Sequence, residues 1–467
     1  MTTYLEFFTF GTIVIVTISL LGLLLLFFKP YWTFLFATFI SLASSFVTNT
    51  QTRIEDIGPY GNVYDVCLFL SLLACLVDVF IQGRTFKFPR MALALLIILI
   101  LGFFNSTFSP LGLSFLILRA LRWAINTPLL YIIAANLVFD EKRVKLLLLT
   151  LVAATFCAEA QHFTLAASLN VNNLAAEDPE LFRSSAFAFG VPELWLLAGP
   201  FLLAGRLPRP WLQLGMGSVL LAGIFITQSR GETAAFLLTI VAYQIWFLQG
   251  PNGLRWKRLA PLLKIAFLSG FLLIIFHFTS MPLNIWTKVD RTISTYDTEK
   301  YQDPRYNDAI VEGTDFIQGN IYTMLFGRGL CYFEVYRIKP ALRKLPKKIG
   351  FGHVGYITYL SQLGLVGFFF YALFFPASVF LNARRVFQDP DGPPVIIHLA
   401  ALAGACFLYY PILFIFSSSF LITHIYPGIL AGAIWRISLP ESVVASAVTQ
   451  PLQEGAGPSA FQGARTI

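Results

Sequence analysis

Apolar runs of about twenty residues recur along this chain, and they restrict its possible folds more than any other feature. Lipid offers the backbone no hydrogen-bond partners, so such runs are expected to form helices that satisfy their own peptide groups. We therefore predict an all-α polytopic membrane protein with about 12–13 transmembrane helices and one large, partly helical extracytoplasmic loop. The candidate spans are residues 7–28, 31–48, 64–82, 91–106, 111–137, 146–166, 186–205, 211–228, 233–249, 261–279, 354–381, 394–416 and 419–436.

The shortage of charge extends over the whole chain. Only 12% of the residues are charged and 57% are hydrophobic, whereas a soluble domain has about 25% charged residues. The formal net charge is +8, which in a membrane protein is explained first by Lys and Arg in cytoplasmic loops. We therefore expect membrane lipid, and no nucleic acid, as a partner.

The short loops between spans alternate between basic and nearly neutral, which predicts the orientation of the chain. Basic loops lie in the cytoplasm, so the N-terminus and the loop 280–352 are expected outside. The basic stretch at the end of that loop does not contradict this, because long loops are translocated largely regardless of charge. The basic positions are Lys29; Arg84, Lys87 and Arg90; Lys142, Arg143 and Lys145; Arg206 and Arg209; Arg255, Lys257 and Arg258; Arg384 and Arg385.

Four regions follow from the spans and the loops. Residues 1–279 form the predicted N-terminal transmembrane bundle, and residues 280–352 form the extracytoplasmic loop that carries the chemistry. Residues 353–438 form the C-terminal transmembrane helices. The Gly-, Pro- and Ala-rich tail 439–467 is predicted to be disordered and cytoplasmic.

Several well-known catalytic signatures are missing from the sequence. There is no G-x-x-x-x-G-K-[ST] loop, no H-E-x-x-H and no G-x-S-x-G, which removes support for nucleotide hydrolysis, zinc peptidase and serine hydrolase activity. No carboxylate cluster is typical of a metal site. We expect no metal and no cofactor.

Arg230, Arg305 and His353 are the candidate catalytic residues. Arg230, in ITQSRGETAA, lies at a predicted outer helix entrance, where it either snorkels to headgroups or binds an anion beside free backbone N–H groups. Arg305, in YQDPRYNDAI, follows a predicted helix start and could equally form a loop salt bridge with Asp308. His353 opens the helix that re-enters the membrane among glycines, as a structural residue or as a general base.

Four further arginines are candidate ligands for a substrate phosphate. Arg119 and Arg122 lie three apart and share a helix face; charged groups within spans are costly and suggest function, although a structural pair with Glu159 remains open. Arg328 lies in LFGRGL, which the two glycines predict to be a tight turn returning the chain to the membrane. Arg337 begins the basic run that follows.

These features together resemble the O-antigen ligase and polymerase superfamily, the Wzy and WaaL proteins of bacterial envelopes. The resemblance rests on a many-span body, an Arg in SRG at a helix entrance and a large outer loop with FGRGL. It also rests on a His-led helix that continues GYITYLSQLGLVG, and the motifs cover roughly residues 225 to 370.

The resemblance implies a metal-independent, inverting GT-C glycosyltransferase of the bacterial plasma (inner) membrane with its active site on the outer, periplasmic side. Its donor would be an undecaprenyl-pyrophosphate-linked glycan and its other substrate an acceptor glycan, and a chain-length regulator is left open as a further partner. Arg230, Arg305 and His353 would be the catalytic residues. Arginines suit a pyrophosphate leaving group, and a His near neutral pH suits deprotonation of the attacking hydroxyl.

Three functions remain in competition. The first is a polymerase that extends an exopolysaccharide or O-antigen by transferring the glycan to the acceptor sugar of a lipid-linked repeat unit. The second is a ligase that transfers the finished glycan to lipid A core or to a protein. The third, from another class, is a transporter or flippase, which would be expected to carry an internal repeat and coupling acids near the midplane.

The alternation of basic loops yields a test of topology. Single cysteines replacing Lys300 and Lys257 in a cysteine-free background are expected to respond differently to an impermeant thiol reagent applied to intact cells. The cysteine at 300 should be labelled and the cysteine at 257 protected. Labelling at 257 with protection at 300 would reverse the predicted orientation.

Overall fold

A computed structural model describes residues 16–50, 63–107, 124–168, 319–330, 355–389, 392–416 and 425–439, with isolated helical positions at 121 and between 235 and 271. Within these residues the chain is almost entirely helical, and no strand occurs among them. This confirms the all-α character predicted from the apolar runs. The helical structure is also expected from composition. A continuous apolar run can hydrogen-bond all of its own peptide groups only as a helix.

The described helices are numbered in chain order. α8 leads into a π-helical stretch, Phe369–Phe374, and then into α9, so that the three form one long helical segment. The bounds are α1 Val16–Phe28, α2 Pro30–Thr50, α3 Val63–Ile81, α4 Arg90–Thr107, α5 Asn126–Leu137, α6 Glu141–Ser168, α7 Ile321–Phe326, α8 Gly355–Phe368, α9 Phe375–Gln388, α10 Pro394–Phe416 and α11 Ile425–Ile437.

Most described helices coincide with predicted spans, and two depart from them. α5 begins at Asn126, well inside the apolar run 111–137. α9 continues to Gln388, past the predicted end at residue 381, and its last turns carry Asn382 and Arg385. The extension is expected physically, since backbone hydrogen bonding propagates a helix after the apolar side chains have ended.

Length and apolar composition identify two segments of this part of the chain that can cross a membrane. They are Tyr359–Gln388 and Pro394–Ile415. Val16–Phe28, Pro30–Ala43 and Arg90–Ser106 are apolar but shorter. A buried helix of a soluble core can have the same length and composition, so the number of spans stays a prediction. The candidate spans 186–205 and 211–228 lie outside the described residues.

Hydrogen bonds between neighbouring helices gather several basic residues at one end of the bundle. The Arg143 guanidinium at the start of α6 and the Arg84 guanidinium after α3 both donate to the Asp78 carboxylate, at 2.8 and 2.7 Å. The Asn136 side chain near the end of α5 accepts from the Lys87 N–H at 2.7 Å. Arg436, in the last turn of α11, lies at the same end because α11 packs alongside α5 and runs in the same direction. We call this the basic end.

The basic end agrees with the alternation read from the sequence. Lys87 and Arg143 belong to two short loops that were predicted to share a side, and Arg436 borders the tail predicted on that same side. Two other predicted basic loops, around residues 206 and 257, lie outside the described residues. The prediction that the loops of Lys87 and Arg143 lie at the same end of the bundle is therefore confirmed.

The closest helix packing in the described core joins α5 to α11. Gly428 and Gly432 lie four apart on α11, and a Cβ at either would overlap a backbone carbonyl of α5, that of Thr127 or of Tyr131. This is a G-x-x-x-G contact, in which missing side chains let two helix backbones approach. Small residues on α5, such as Ala134, complete the contact.

We expect Gly432→Ala to destabilise the fold, because the new methyl group meets the Tyr131 carbonyl and the Ala135 N–H with no room to shift. Overpacking of this kind costs about 1–3 kcal/mol. The free energy of unfolding of the purified protein in detergent measures the effect. Gly270→Ala is the matched control, since a Cβ there meets nothing within 4 Å. Equal stability of the two variants would show that the α5–α11 contact is not tight.

Candidate functional site

A glycine turn connects the segment 319–330 of the long loop to the helical bundle. The short helix α7 is capped by Asn320, whose side chain accepts from the Thr323 N–H at 2.8 Å, and it ends at Gly327. Gly327 and Gly329 have φ of 78° and 108°, values that side chains with a Cβ rarely adopt. The tight turn predicted from LFGRGL is confirmed.

The glycine turn docks where α8 is interrupted. Gly364 has φ 67° and ψ −172°, which is not a helical conformation. Such a break leaves carbonyls of the preceding turn without the usual partner four residues ahead. The Arg328 N–H donates to the Ser361 carbonyl at 2.9 Å, and the Gly329 N–H donates to the Gln362 carbonyl at 3.0 Å. The turn therefore caps the first half of α8 with its backbone.

All three positive-φ glycines at this site lie in close backbone contact. A Cβ at Gly327 would overlap the Gln362 carbonyl, and one at Gly364 would overlap the Gly327 nitrogen and the Leu325 carbonyl. A Cβ at Gly329 would overlap Ser106. Each glycine is thus required both for its φ and for the space it leaves.

The end of α4 holds the same turn through two polar side chains. The Asn105 amide donates to the Phe326 carbonyl at 2.9 Å, and its oxygen accepts from the Tyr322 hydroxyl at 2.6 Å. The Ser106 hydroxyl oxygen accepts from the Leu330 N–H at 2.8 Å, and the hydroxyl donates within α4 to the Gly102 carbonyl at 2.9 Å. We call this end, with the glycine turn and the α8 break, the loop end.

Asn105 and Ser106 were missed at the level of sequence. The predicted span 91–106 contains both residues, and neither was considered as a functional residue. The available signal was two adjacent polar side chains at the end of a helix that faces the long loop. The break at Gly364 was also missed, because GYITYLSQLGLVG was treated as one uninterrupted helix.

Of the seven predicted site residues the structure describes Arg328. It lies between the two turn glycines and is partly exposed, with its backbone N–H bonded to the broken helix. The convergence predicted for the catalytic residues therefore stays a prediction. The other six lie outside the described residues: His353, Arg305, Arg230, Arg119, Arg122 and Arg337.

The loop end presents a guanidinium on a rigid frame. The Arg328 backbone is held on both sides by glycines that contact α4 and α8, so the starting point of its side chain is well defined. A guanidinium so placed matches the planar, two-oxygen geometry of a phosphate. Among the residues that the structure describes, no group of three His, Cys, Asp or Glu side chains is placed to hold a metal ion.

Comparisons with known proteins identify no relative from which a role for the site could be inferred. No protein-family model matches the chain, and no curated protein matches it. The resemblance to the O-antigen ligase and polymerase superfamily therefore depends on the motifs between residues 225 and 370 and on how the chain arranges them.

The contact between Ser106 and the turn can be tested by removing one oxygen. Ser106→Ala would leave the Leu330 N–H without its acceptor, and an unsatisfied buried donor costs about 1–3 kcal/mol. We expect lower unfolding free energy and faster amide exchange in residues 321–330. Ser378→Ala is the control, since that hydroxyl only donates to the Phe375 carbonyl in its own helix. Unchanged exchange in 321–330 would contradict a role for Ser106 in holding the turn.

Proposed function

We propose that the chain is a polytopic membrane protein whose basic end faces the cytoplasm and whose loop end faces outward from a bacterial plasma membrane. The support comes from the surface of α4. Leu93, Ile97, Ile100 and Phe104 are 46%, 50%, 48% and 53% exposed, and their spacing of three or four residues aligns them on one face. A continuous apolar stripe that faces out of the fold is expected to contact lipid.

The position of the stripe fits a bilayer. Arg90 begins α4 beside the basic end, and Ser106 lies at the loop end, sixteen residues further on. At 1.5 Å per residue the two polar ends are about 24 Å apart. The hydrocarbon core of a bilayer is about 30 Å thick, so the stripe lies within the depth of the lipid tails.

For the activity, we propose a polymerase of a bacterial surface polysaccharide, which transfers a glycan from undecaprenyl pyrophosphate to the acceptor sugar of a lipid-linked repeat unit. One observation supports it above the others. The FGRGL turn and the GYITYLSQLGLVG helix, which carry the family resemblance, are directly hydrogen-bonded through Arg328 and Ser361. The turn and the helix are some thirty residues apart in the sequence, and they meet at the end proposed to face outward.

The proposed reaction is an inverting displacement at the anomeric carbon. A hydroxyl of the acceptor sugar attacks that carbon, the bond to the pyrophosphate oxygen breaks, and undecaprenyl pyrophosphate leaves with the bonding electrons. His353 takes the hydroxyl proton. Arg305 and Arg230 stabilise the charge that develops on the leaving group without risk of losing their own protons. Arg328 contributes a further phosphate contact from the glycine turn.

The ligase would use the same donor and the same residues. It differs in its acceptor, which would be lipid A core or a protein. Supplying the purified enzyme with each acceptor in turn separates the two functions by product alone.

A transporter is the candidate from another class, and the interruption of α8 favours it. Transporters often bind substrate where membrane helices are broken, and α8 is broken at Gly364. In this chain, however, the glycine turn already occupies the α8 break and accounts for the Ser361 and Gln362 carbonyls. Net movement of a lipid-linked glycan across vesicles without any change in glycan length would favour the transporter.

The deciding experiment measures glycan transfer in detergent from a lipid-pyrophosphate donor in excess EDTA. The wild type is expected to remain active, since arginines supply the charge that a metal would otherwise provide. His353→Ala should lower the rate about 100- to 10,000-fold, the usual contribution of a general base. Arg328→Lys should lower it about tenfold, because an ammonium cannot hold phosphate with two parallel hydrogen bonds.

Arg385→Lys is the control, because this exposed arginine lies in the last turn of α9 and has no place in the proposed site. Folding of each variant is checked by gel filtration. Transfer near the wild-type rate by folded His353→Ala would remove His353 from the mechanism. Loss of wild-type activity in EDTA that magnesium or manganese restores would contradict metal-independent transfer.

A further inference from the structure

The basic end contains more cationic side chains than its carboxylates can neutralise. Asp78 is buried and already accepts four hydrogen bonds. Its Oδ2 accepts from Arg84 and Arg143 at 2.7 and 2.8 Å, and its Oδ1 accepts from Arg143 and Gln82 at 3.0 and 3.1 Å. A carboxylate has about four lone-pair sites, so Asp78 has no capacity left for another cation.

The second carboxylate of the basic end is also engaged. Asp140 lies 3.6 Å from the Arg143 guanidinium and accepts from the Arg143 N–H at 2.8 Å. Among the described residues, no carboxylate pairs with Arg436. Arg143 therefore contacts both carboxylates that pair with these arginines among the described residues, and Arg436 contacts neither.

Two donor atoms of the same arginines lack hydrogen-bond partners. The Arg84 Nε and the Arg436 Nη1 are buried, and neither makes a hydrogen bond in this structure. Buried N–H groups are nearly always satisfied in folded proteins, because each unsatisfied donor has a desolvation cost. Both side chains nevertheless reach the surface, since Arg84 is 26% exposed and Arg436 is partly exposed.

Aromatic contacts hold the Arg84 guanidinium in position without neutralising it. Arg84 lies 3.9 Å above the Phe139 ring, and Arg143 lies 4.2 Å from the centre of the same ring. Burial lowers the pKa of Arg84 from its ordinary value, Asp78 raises it, and the charges of Arg143 and Arg436 lower it further. An arginine remains protonated under such conditions, so the repulsion persists unless an anion relieves it.

We propose that the basic end binds a phosphate group between Arg84 and Arg436. A phosphate offers several acceptor oxygens and at least one negative charge, which would satisfy the unpartnered donors and balance the third guanidinium. Two sources share this chemistry: the phosphodiester headgroup of an anionic lipid, and free phosphate. The lipid source depends on the membrane placement proposed above, whereas the phosphate site itself does not depend on glycan transfer.

The test uses the full chain purified in a neutral detergent and three probes: phosphatidylglycerol, phosphatidylcholine and inorganic phosphate. Retention of each lipid is measured by native mass spectrometry, and inorganic phosphate binding is measured by calorimetry. We expect phosphatidylglycerol to be retained and phosphatidylcholine to be lost. Arg436→Gln should weaken phosphatidylglycerol binding about tenfold, as expected for loss of one charge-assisted contact.

Two variants control for charge and for folding. Arg385→Gln removes an exposed arginine that takes no part in the hydrogen bonds to Asp78 and should leave retention unchanged. Arg436→Lys keeps the charge and should keep part of the binding, so it remains informative if Arg436→Gln does not fold. Binding of inorganic phosphate at the same site, competing with the lipid, would assign free phosphate as an alternative occupant.

The proposal is overturned by either of two results. The first is equal retention of phosphatidylglycerol by wild type and by folded Arg436→Gln, or no binding of either phosphatidylglycerol or inorganic phosphate by the wild type. The second is that Glu441, five residues after Arg436 in the sequence, supplies the anion itself. This result would be shown if Glu441→Gln lowered stability as much as Arg436→Gln does. Glycan transfer is measured in parallel, and its loss or retention does not decide this question.

Discussion

The backbone pairing between the glycine turn and the interrupted α8 organises the loop end. A helix that breaks at Gly364 leaves the carbonyls of buried residues without their usual partners, and an unpaired buried carbonyl is costly. The turn resolves this because Gly327 and Gly329 approach closely enough for two N–H groups to reach Ser361 and Gln362. The break and the turn therefore require each other, and Asn105 and Ser106 attach both of them to α4.

The opposite end is organised by a single buried carboxylate. Asp78 on α3 joins the loop that leads into α4 to the start of α6, through Arg84 and Arg143. An ion pair of this kind is not strong proof of added stability, since burying the charges has its own cost. Its consequence is specificity, because removing Asp78 would leave two partly buried guanidinium groups without their anion. Between the two ends the structure relies on close apolar packing, as between α5 and α11.

A useful part of this architecture was predictable from local pattern. The apolar runs indicated the helices, the glycines of LFGRGL indicated the turn, and the spacing of basic loops indicated that Lys87 and Arg143 share an end. Each of these signals depends on residues that are neighbours in sequence. The Gly428 and Gly432 pair was equally visible as G-x-x-x-G, but its partner helix was not. Asn105 and Ser106 gave too little signal, because a polar pair at the end of a helix has many uses.

By itself the sequence determined that the chain is helical, strongly apolar and basic in alternate short loops, because periodicity, composition and charge are local quantities. It also supplied the glycines without which the turn at Arg328 could not form. Only the tertiary structure decided that this turn caps α8 at Gly364, that α11 packs on α5, and that Arg84 and Arg143 share the Asp78 carboxylate. These contacts join residues up to several hundred positions apart. The partners in these contacts are selected by complementary shape and by the cost of leaving buried polar groups unpaired. Neither property can be read from a single segment of the sequence.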